Sequence, residues 1–239
     1  MDLHTAIDLY CERSTTDLFA EPLNLITNLA FIAAAAAADR AQRRILHSRR
    51  SGPTFLILLL IAIGIGSALF HSFATRWAMF ADILPIQVFI ISFLWLWTRF
   101  VLINSAGTAL SGGVLSTLAC AAFLVASARI ATALQGLPLN GSEGYVGAWI
   151  ALLLLAVYDL RRFQRRWLLT AVVLFSVSLT ARSVDAPLCE SLPLGTHFLW
   201  HLLNGGVTYL VVAAYIHATG TSIASSISSS DRQADTAQE

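Results

Sequence analysis

The sequence has no lysine and few charged residues of any kind. All 15 of its basic residues are arginine, and charged residues make up 12% of the 239-residue chain, about half of the ~25% typical of a soluble domain. The missing lysine excludes Schiff-base and P-loop lysine chemistry. A net charge of +1 gives no basic field for nucleic acid, so no nucleic-acid partner is expected. The three cysteines are too few for a disulfide scaffold or a cysteine-based zinc site.

Apolar residues are abundant instead. They form 56% of the chain, and the mean hydropathy is +0.70, which is typical of a protein that crosses a membrane several times. Because a bilayer core takes roughly 20 apolar residues as a helix, the sequence predicts an all-α membrane protein, a bundle of seven transmembrane helices. The predicted spans are 22–38, 53–73, 80–101, 109–134, 144–160, 167–184 and 196–218. The first twenty residues lack the basic start of a signal peptide, so the first span is expected to remain in the protein.

The arginines predict the orientation of this bundle, because cytoplasmic loops carry an excess of positive charge. Eleven arginines fall on one side of the predicted bundle and three on the other. The N-terminus is therefore expected outside and the C-terminus in the cytoplasm. The chain divides into an acidic extracytoplasmic segment at 1–21, a transmembrane domain at 22–219, and a serine-rich cytoplasmic tail at 220–239 that is expected to be disordered.

Five polar residues lie where a membrane disfavours them, and such residues are functional candidates. Ser67 and His71 are four apart and share a helix face, as do His197 and His201. The predicted topology places both pairs, together with Asp82, at a similar depth below the outer surface. Three histidines that leave one position open are typical of a catalytic zinc site. The alternatives are a chance spacing of the histidines, a helix-capping role for Asp82, and a haem held by His71 and one other histidine.

The N-terminal segment is acidic and carries one cysteine. Four carboxylates occur within fourteen residues: Asp8, Glu12, Asp17 and Glu21. Hard oxygen ligands suit calcium, and the alternative is a solvated segment that caps a helix. Cys11 and Cys189 both fall outside in the predicted topology, where an oxidising environment favours a disulfide over two free thiols.

These pieces, in this order, resemble the alkaline ceramidase family, which lies within the superfamily of adiponectin receptors and hemolysin-III-like proteins. The matching segments are Tyr10-Cys11-Glu12, Glu21-Pro22-Leu23-Asn24, Gly66-Ser67-Ala68-Leu69-Phe70-His71, Asp82-Ile83-Leu84-Pro85, Asp185 with Cys189-Glu190-Ser191, and His197-Phe198-Leu199-Trp200-His201. The resemblance covers residues 8 to 201 and rests mainly on the serine, histidine and aspartate of the second and third spans and on the final His-x3-His.

The resemblance implies a zinc ion held within the membrane by His71, His197 and His201. Ser67 and Asp82 would assist a water activated by the metal. The reaction would be hydrolysis of the amide of ceramide or a related N-acyl lipid, which releases a fatty acid and a sphingoid base or other amine. The composition is typical of a bacterial protein, so a multi-pass protein of the bacterial inner membrane is expected.

The resemblance also implies a calcium site in the N-terminal segment and the pairing of Cys11 with Cys189. The calcium ligands would be Asp8, Glu12, Ser14 and Glu21, with Ser14 where the family motif has asparagine. The alternative to an enzyme is a seven-helix membrane receptor or sensor that keeps zinc as a structural element. The sequence does not specify the oligomeric state.

Overall fold

The structure is a computed structural model that describes residues 2–103, 109–158 and 164–236, with side chains described up to residue 221 except that of residue 109. Within these ranges all the secondary-structure elements are helices and none is a β-strand, so the prediction of an all-α protein is confirmed. The elements are α1 (Pro22–Thr27), α2 (Leu29–Leu46), α3 (Ser51–Phe73), α4 (Arg76–Trp97) with a π-helical turn (Thr98–Leu102), α5 (Ala109–Ala133), α6 (Glu143–Tyr158), α7 (Arg165–Leu188) and α8 (His197–Thr236).

Six of the seven predicted spans coincide with helices long and apolar enough to cross a membrane. The helix of the fifth predicted span, α6, is apolar but shorter, with 16 described residues; the predicted end of that span, at 160, lies outside the described residues. The first span is longer than predicted, because α2 continues to Leu46. These helices define a multi-pass integral membrane protein.

The helices pack in chain order around a ring. Each of α2 to α8 contacts the next, and α8 closes the ring by packing against α2. The core between them is apolar, with fully buried side chains such as Trp97, Leu60 and Ile216. Small residues allow the closest approaches: a Cβ added at Gly205 of α8 would press on the Ala30 backbone of α2. Close helix packing of this kind is typical of membrane bundles.

The N-terminal segment crosses the end of the bundle where α3 turns into α4. Backbone hydrogen bonds attach it there, from Ile7 N to Ala74 O (2.7 Å) and from Arg76 N to Thr5 O (3.2 Å). We call this end of the bundle the histidine end, because His71 lies in the last turn of α3 and His197 begins α8. The segment thereby covers the polar residues that the sequence places near the membrane surface.

The backbone of α8 continues to Thr236, into the tail that the sequence predicts to be disordered from residue 220. Residues 237–239 lie outside the described residues. Disorder of this tail stays a prediction.

Candidate metal centre

Three imidazoles converge on one buried point at the histidine end. One ring nitrogen from each of His71, His197 and His201 lies within 4.8 Å of the others, and all three side chains are nearly inaccessible. The Nε2 atoms of His71 and His201 are 3.1 Å apart, close to the ~3.3 Å expected for two nitrogens bound ~2.0–2.1 Å from one tetrahedral zinc. Among the described residues, no other group of three or more His, Cys, Asp or Glu side chains has this arrangement.

Glu21 orients His71. The Nδ1 of His71 donates to Glu21 Oε2 (2.6 Å), which leaves Nε2 to face the cluster. Burial raises the pKa of Glu21, but hydrogen bonds from His71, Arg13 and Asn24 outweigh it and hold the pKa below its usual value. Glu21 is therefore an ionised partner for the imidazole.

Thr27 orients His201 in the same way. The Thr27 hydroxyl donates to the backbone of its own helix, with Leu23 O at 2.8 Å, so its oxygen is free to accept from His201 Nδ1 at 3.0 Å. The Nε2 of His201 is then unprotonated, like that of His71. Two unprotonated nitrogens 3.1 Å apart repel each other unless a cation lies beside them, so the arrangement fits a metal ion.

His197 is fixed at the first turn of α8 from two sides. The Asp185 carboxylate, fully buried, accepts from the backbone nitrogens of Thr196 (2.6 Å) and His197 (2.9 Å) through Oδ1, which satisfies amides that a helix start leaves free. The ring of Tyr10 stacks on the imidazole of His197, with centroids 3.5 Å apart. The Nδ1 of His197 is buried without a hydrogen-bond partner, which is costly unless that nitrogen binds a ligand.

Ser67 and Asp82 meet beside the histidines. The Asp82 carboxylate interacts electrostatically with both Ser67 and His71. Ser67 Oγ lies 3.5 Å from His201 Nε2. Gly66 permits this arrangement, because a Cβ there would overlap the backbone of Ala81 and separate α3 from α4.

Asp82 does not cap a helix, which was one alternative from the sequence. The helix α4 begins at Arg76, with Thr75 at the N-cap position. Asp82 lies in the second turn and is half-buried. A carboxylate inside a span and beside three histidines is a candidate for chemistry.

Arg182 also belongs to the surroundings of the site, although no pattern in the sequence singled it out. Its guanidinium lies 5.1 Å from the Trp200 ring centroid and 5.6 Å from that of Tyr145. It donates to the hydroxyl of Tyr10 (2.8 Å) and interacts with Asp82. The arginine therefore holds Tyr10 in place against His197 and adds positive charge beside Asp82.

Of the four residues predicted to bind calcium, two are exposed and two are engaged in other contacts. Asp8 and Ser14 are exposed. Both oxygens of Glu12 accept backbone amides at the start of α1, from Leu23 (2.6 Å) and Asn24 (2.8 Å). Glu21 is engaged with His71 and Arg13.

Cys11 and Cys189 form a disulfide, as the sequence suggests. The bond ties the N-terminal segment to the loop between α7 and α8. The backbone nitrogen of Cys11 also donates to Asp185 Oδ2 (3.2 Å). The disulfide therefore stands next to the contacts that fix His197.

Fold and site together define a class: a multi-pass helical membrane protein with three buried imidazoles suited to one metal ion and a serine–aspartate pair beside them. The model of the ceramidase family matches residues 4–229, and the chain belongs to that family. This confirms the resemblance drawn from the motifs and implies a hydrolase that acts on an amide of a lipid. A comparison with individual curated proteins finds no match.

Proposed function

We propose that this protein is a zinc-dependent amidase that hydrolyses ceramide or a related N-acyl lipid within the membrane. The observation that carries the proposal is the meeting of Asp82 and Ser67 with three converging imidazoles in a member of the ceramidase family. The products are a fatty acid and a free amine, which is a sphingoid base if the substrate is ceramide.

Zinc suits the ligands present. Three neutral imidazoles and one open position are typical of catalytic zinc, and nitrogens that converge from three rings favour one small ion over haem, whose axial ligands approach from opposite sides. A zinc ion bound here would supply Lewis acidity, polarising the carbonyl and lowering the pKa of a water. Glu21 and Thr27 hold the rings in the tautomer that a metal needs.

Asp82 transfers the proton of the reaction, and Ser67 assists by hydrogen bonding. Asp82 accepts a proton as water adds to the carbonyl carbon, and it returns that proton to the nitrogen when the C–N bond breaks. One water is consumed, one acid and one amine are formed, and Asp82 ends as it began. Ser67 orients the water or donates to the developing oxyanion.

A small apolar cavity of about 90 Å³ between the helices suits one segment of the acyl chain of such a substrate. Its lining includes Trp200 and Asn204, which flank His201 in the sequence of α8, and is otherwise mostly apolar, with Phe31, Ile63 and Phe89 among the side chains. A hydrocarbon chain in this cavity would bring its carbonyl towards the imidazoles. The substrate enters laterally between helices from the lipid phase.

The proposed setting is a bacterial inner membrane with seven crossings, α6 being the shortest span. The N-terminus and the histidine end face the outside, in line with the arginine distribution. Cysteine-accessibility labelling of Cys-substituted residues at the two ends in intact cells tests this orientation. If the turn between α3 and α4 is labelled only after membrane permeabilisation, the protein has the opposite orientation.

The decisive experiment separates turnover from metal binding. Detergent-purified protein is assayed on a panel of N-acyl lipids, and its metal content is measured, for the wild type, Asp82→Asn and the double variant His197→Ala/His201→Ala. We expect about one zinc per chain in the wild type and in Asp82→Asn, turnover only in the wild type, and neither zinc nor turnover in the double variant. Asp39→Asn is the matched control, because Asp39 pairs with exposed arginines at the far end of α2.

The same experiment tests the alternative of a receptor with structural zinc. A wild type that binds zinc but hydrolyses no lipid of the panel would favour that alternative. Hydrolysis by the double variant would refute the proposed site.

A further inference from the structure

A buried arginine lies where the family resemblance places a calcium ion. The side chain of Arg13 is 5% exposed and that of its partner Glu21 is 3% exposed. The Nε of Arg13 donates to Glu21 Oε1 at 2.6 Å. The ion pair therefore sits inside the N-terminal segment, among the carboxylates expected to bind calcium.

Every nitrogen of the guanidinium is used. One terminal nitrogen donates to the backbone carbonyls of Thr15 (3.2 Å) and Asp17 (3.3 Å), and the other donates to the carbonyl of His71 (2.9 Å). That carbonyl lies in the last turn of α3, where carbonyls lack partners in the helix and positive charge is favourable. One cation thus gathers a carboxylate and three carbonyl oxygens.

The two buried glutamates of the segment, Glu12 and Glu21, leave no free oxygen for a second cation. Calcium takes six to eight oxygens at about 2.3–2.6 Å. Both oxygens of Glu12 accept backbone amides, and both oxygens of Glu21 accept from Arg13, His71 or Asn24. A divalent cation placed here would also face the fixed charge of the guanidinium. The residues present do not fit calcium.

We propose that Arg13 replaces a bound calcium ion in this protein, as a built-in cation that holds the N-terminal segment and positions His71. It acts on His71 twice, through the backbone carbonyl and through Glu21, which orients the imidazole. The protein is then independent of calcium, and its positioning cation cannot be removed by depletion. The effect on zinc affinity and on catalysis rests on the proposed function, whereas the calcium measurements do not.

The test measures calcium binding directly. Purified full-length protein in calcium-depleted buffer is titrated with CaCl2 by calorimetry, and thermal unfolding is recorded with and without 1 mM calcium. Depletion is done on the buffer, since a soluble chelator would also remove a metal from the histidines. The wild type is expected to show no saturable binding and no shift of Tm; saturable binding by the wild type overturns the proposal.

The variant Arg13→Ala is expected to bind calcium where the wild type does not. It leaves an oxygen-lined gap formed by Glu21 and the carbonyls of Thr15, Asp17 and His71. We expect calcium binding and a calcium-dependent rise in Tm in this variant alone, while Arg13→Lys, which keeps the charge, stays indifferent to calcium. Absence of calcium binding in Arg13→Ala would show that the guanidinium does not occupy a site suited to calcium, and it would overturn the proposal.

A second measurement follows the positioning of His71 and does not depend on activity. Zinc affinity, measured by competition with a chromogenic chelator, should fall by about tenfold or more in Arg13→Ala without calcium, because residues that hold a metal ligand in place typically contribute this much. The affinity should recover when calcium is added. Arg13→Gln replaces Arg13→Ala if the latter does not fold. Arg43→Ala is the control, because Arg43 is exposed in an ion pair with Asp39. An unchanged zinc affinity in Arg13→Ala and Arg13→Gln would refute the positioning role, whatever the lipid assay shows.

Discussion

Replacing Asp185 should weaken both the fold and the candidate metal site, because this carboxylate is the buried acceptor for the start of α8. It accepts from three backbone nitrogens, those of Thr196 (2.6 Å), His197 (2.9 Å) and Cys11 (3.2 Å). In Asp185→Ala all three lose their acceptor, and none gains access to water because the side chain is 0% exposed.

The magnitude follows from the contacts. Loss of a helix cap costs about 1 kcal/mol, and hydrogen bonds to a charged group contribute about 1.5–3 kcal/mol. We therefore expect Asp185→Ala to lower the free energy of unfolding by about 3 kcal/mol, which corresponds to a fall in Tm of about 6–12 °C for a chain of this size. Asp185→Asn keeps an oxygen for the α8 amides and should lose about half as much.

The assay combines unfolding with metal binding. Tryptophan fluorescence during heating gives Tm in detergent, and chelator competition gives the zinc affinity, which should fall because His197 follows directly from the cap. Glu190→Ala is the matched control, since Glu190 is an exposed carboxylate in the same loop. If Asp185→Ala unfolds and binds zinc like Glu190→Ala, the reasoning about this cap is wrong.

Three further changes test other contacts of the site. Thr27→Val removes the acceptor for a histidine ring and should weaken zinc binding about 10–100-fold, while Thr27→Ser should keep it; equal affinities in a competition assay would contradict this. Gly66→Ala pushes α3 from α4 and should reduce lipid turnover strongly with zinc content retained, whereas unchanged turnover would show that the close approach is not needed. The double variant Cys11→Ser/Cys189→Ser removes a disulfide that spans 178 residues and should lower the free energy of unfolding by about 2–5 kcal/mol. Its Tm should fall to the value that the wild type shows in a reductant. A Tm that neither the substitutions nor the reductant changes would refute the disulfide.

The chemistry-bearing residues were predictable because their signals are local. Ser67 and His71, and likewise His197 and His201, are four residues apart, so a helix alone puts each pair on one face. Counting spans then brings both pairs and Asp82 to one end of a bundle. No long-range contact had to be known for this step.

The residues that hold the histidines were not predictable in this way. Glu21 and His71 are 50 residues apart, and Thr27 and His201 are 174 apart, so no periodicity connects them. Glu21 was assigned to calcium because its residue type suits an oxygen site, while its partner in space is an imidazole. The extra length of α2 was missed as well, since its second half carries charge that hydropathy alone reads as a loop.

The N-terminal segment is a structural part of the candidate metal centre. It contributes a ring that stacks on His197, a carboxylate that orients His71, and a guanidinium that holds that carboxylate. The disulfide joins the same segment to the loop that precedes α8. The three histidines come from two helices far apart in sequence, and this segment contacts both helices. It therefore fixes the distance between them, a geometry that helix packing in lipid, which lacks a strong hydrophobic driving force, would leave less well defined.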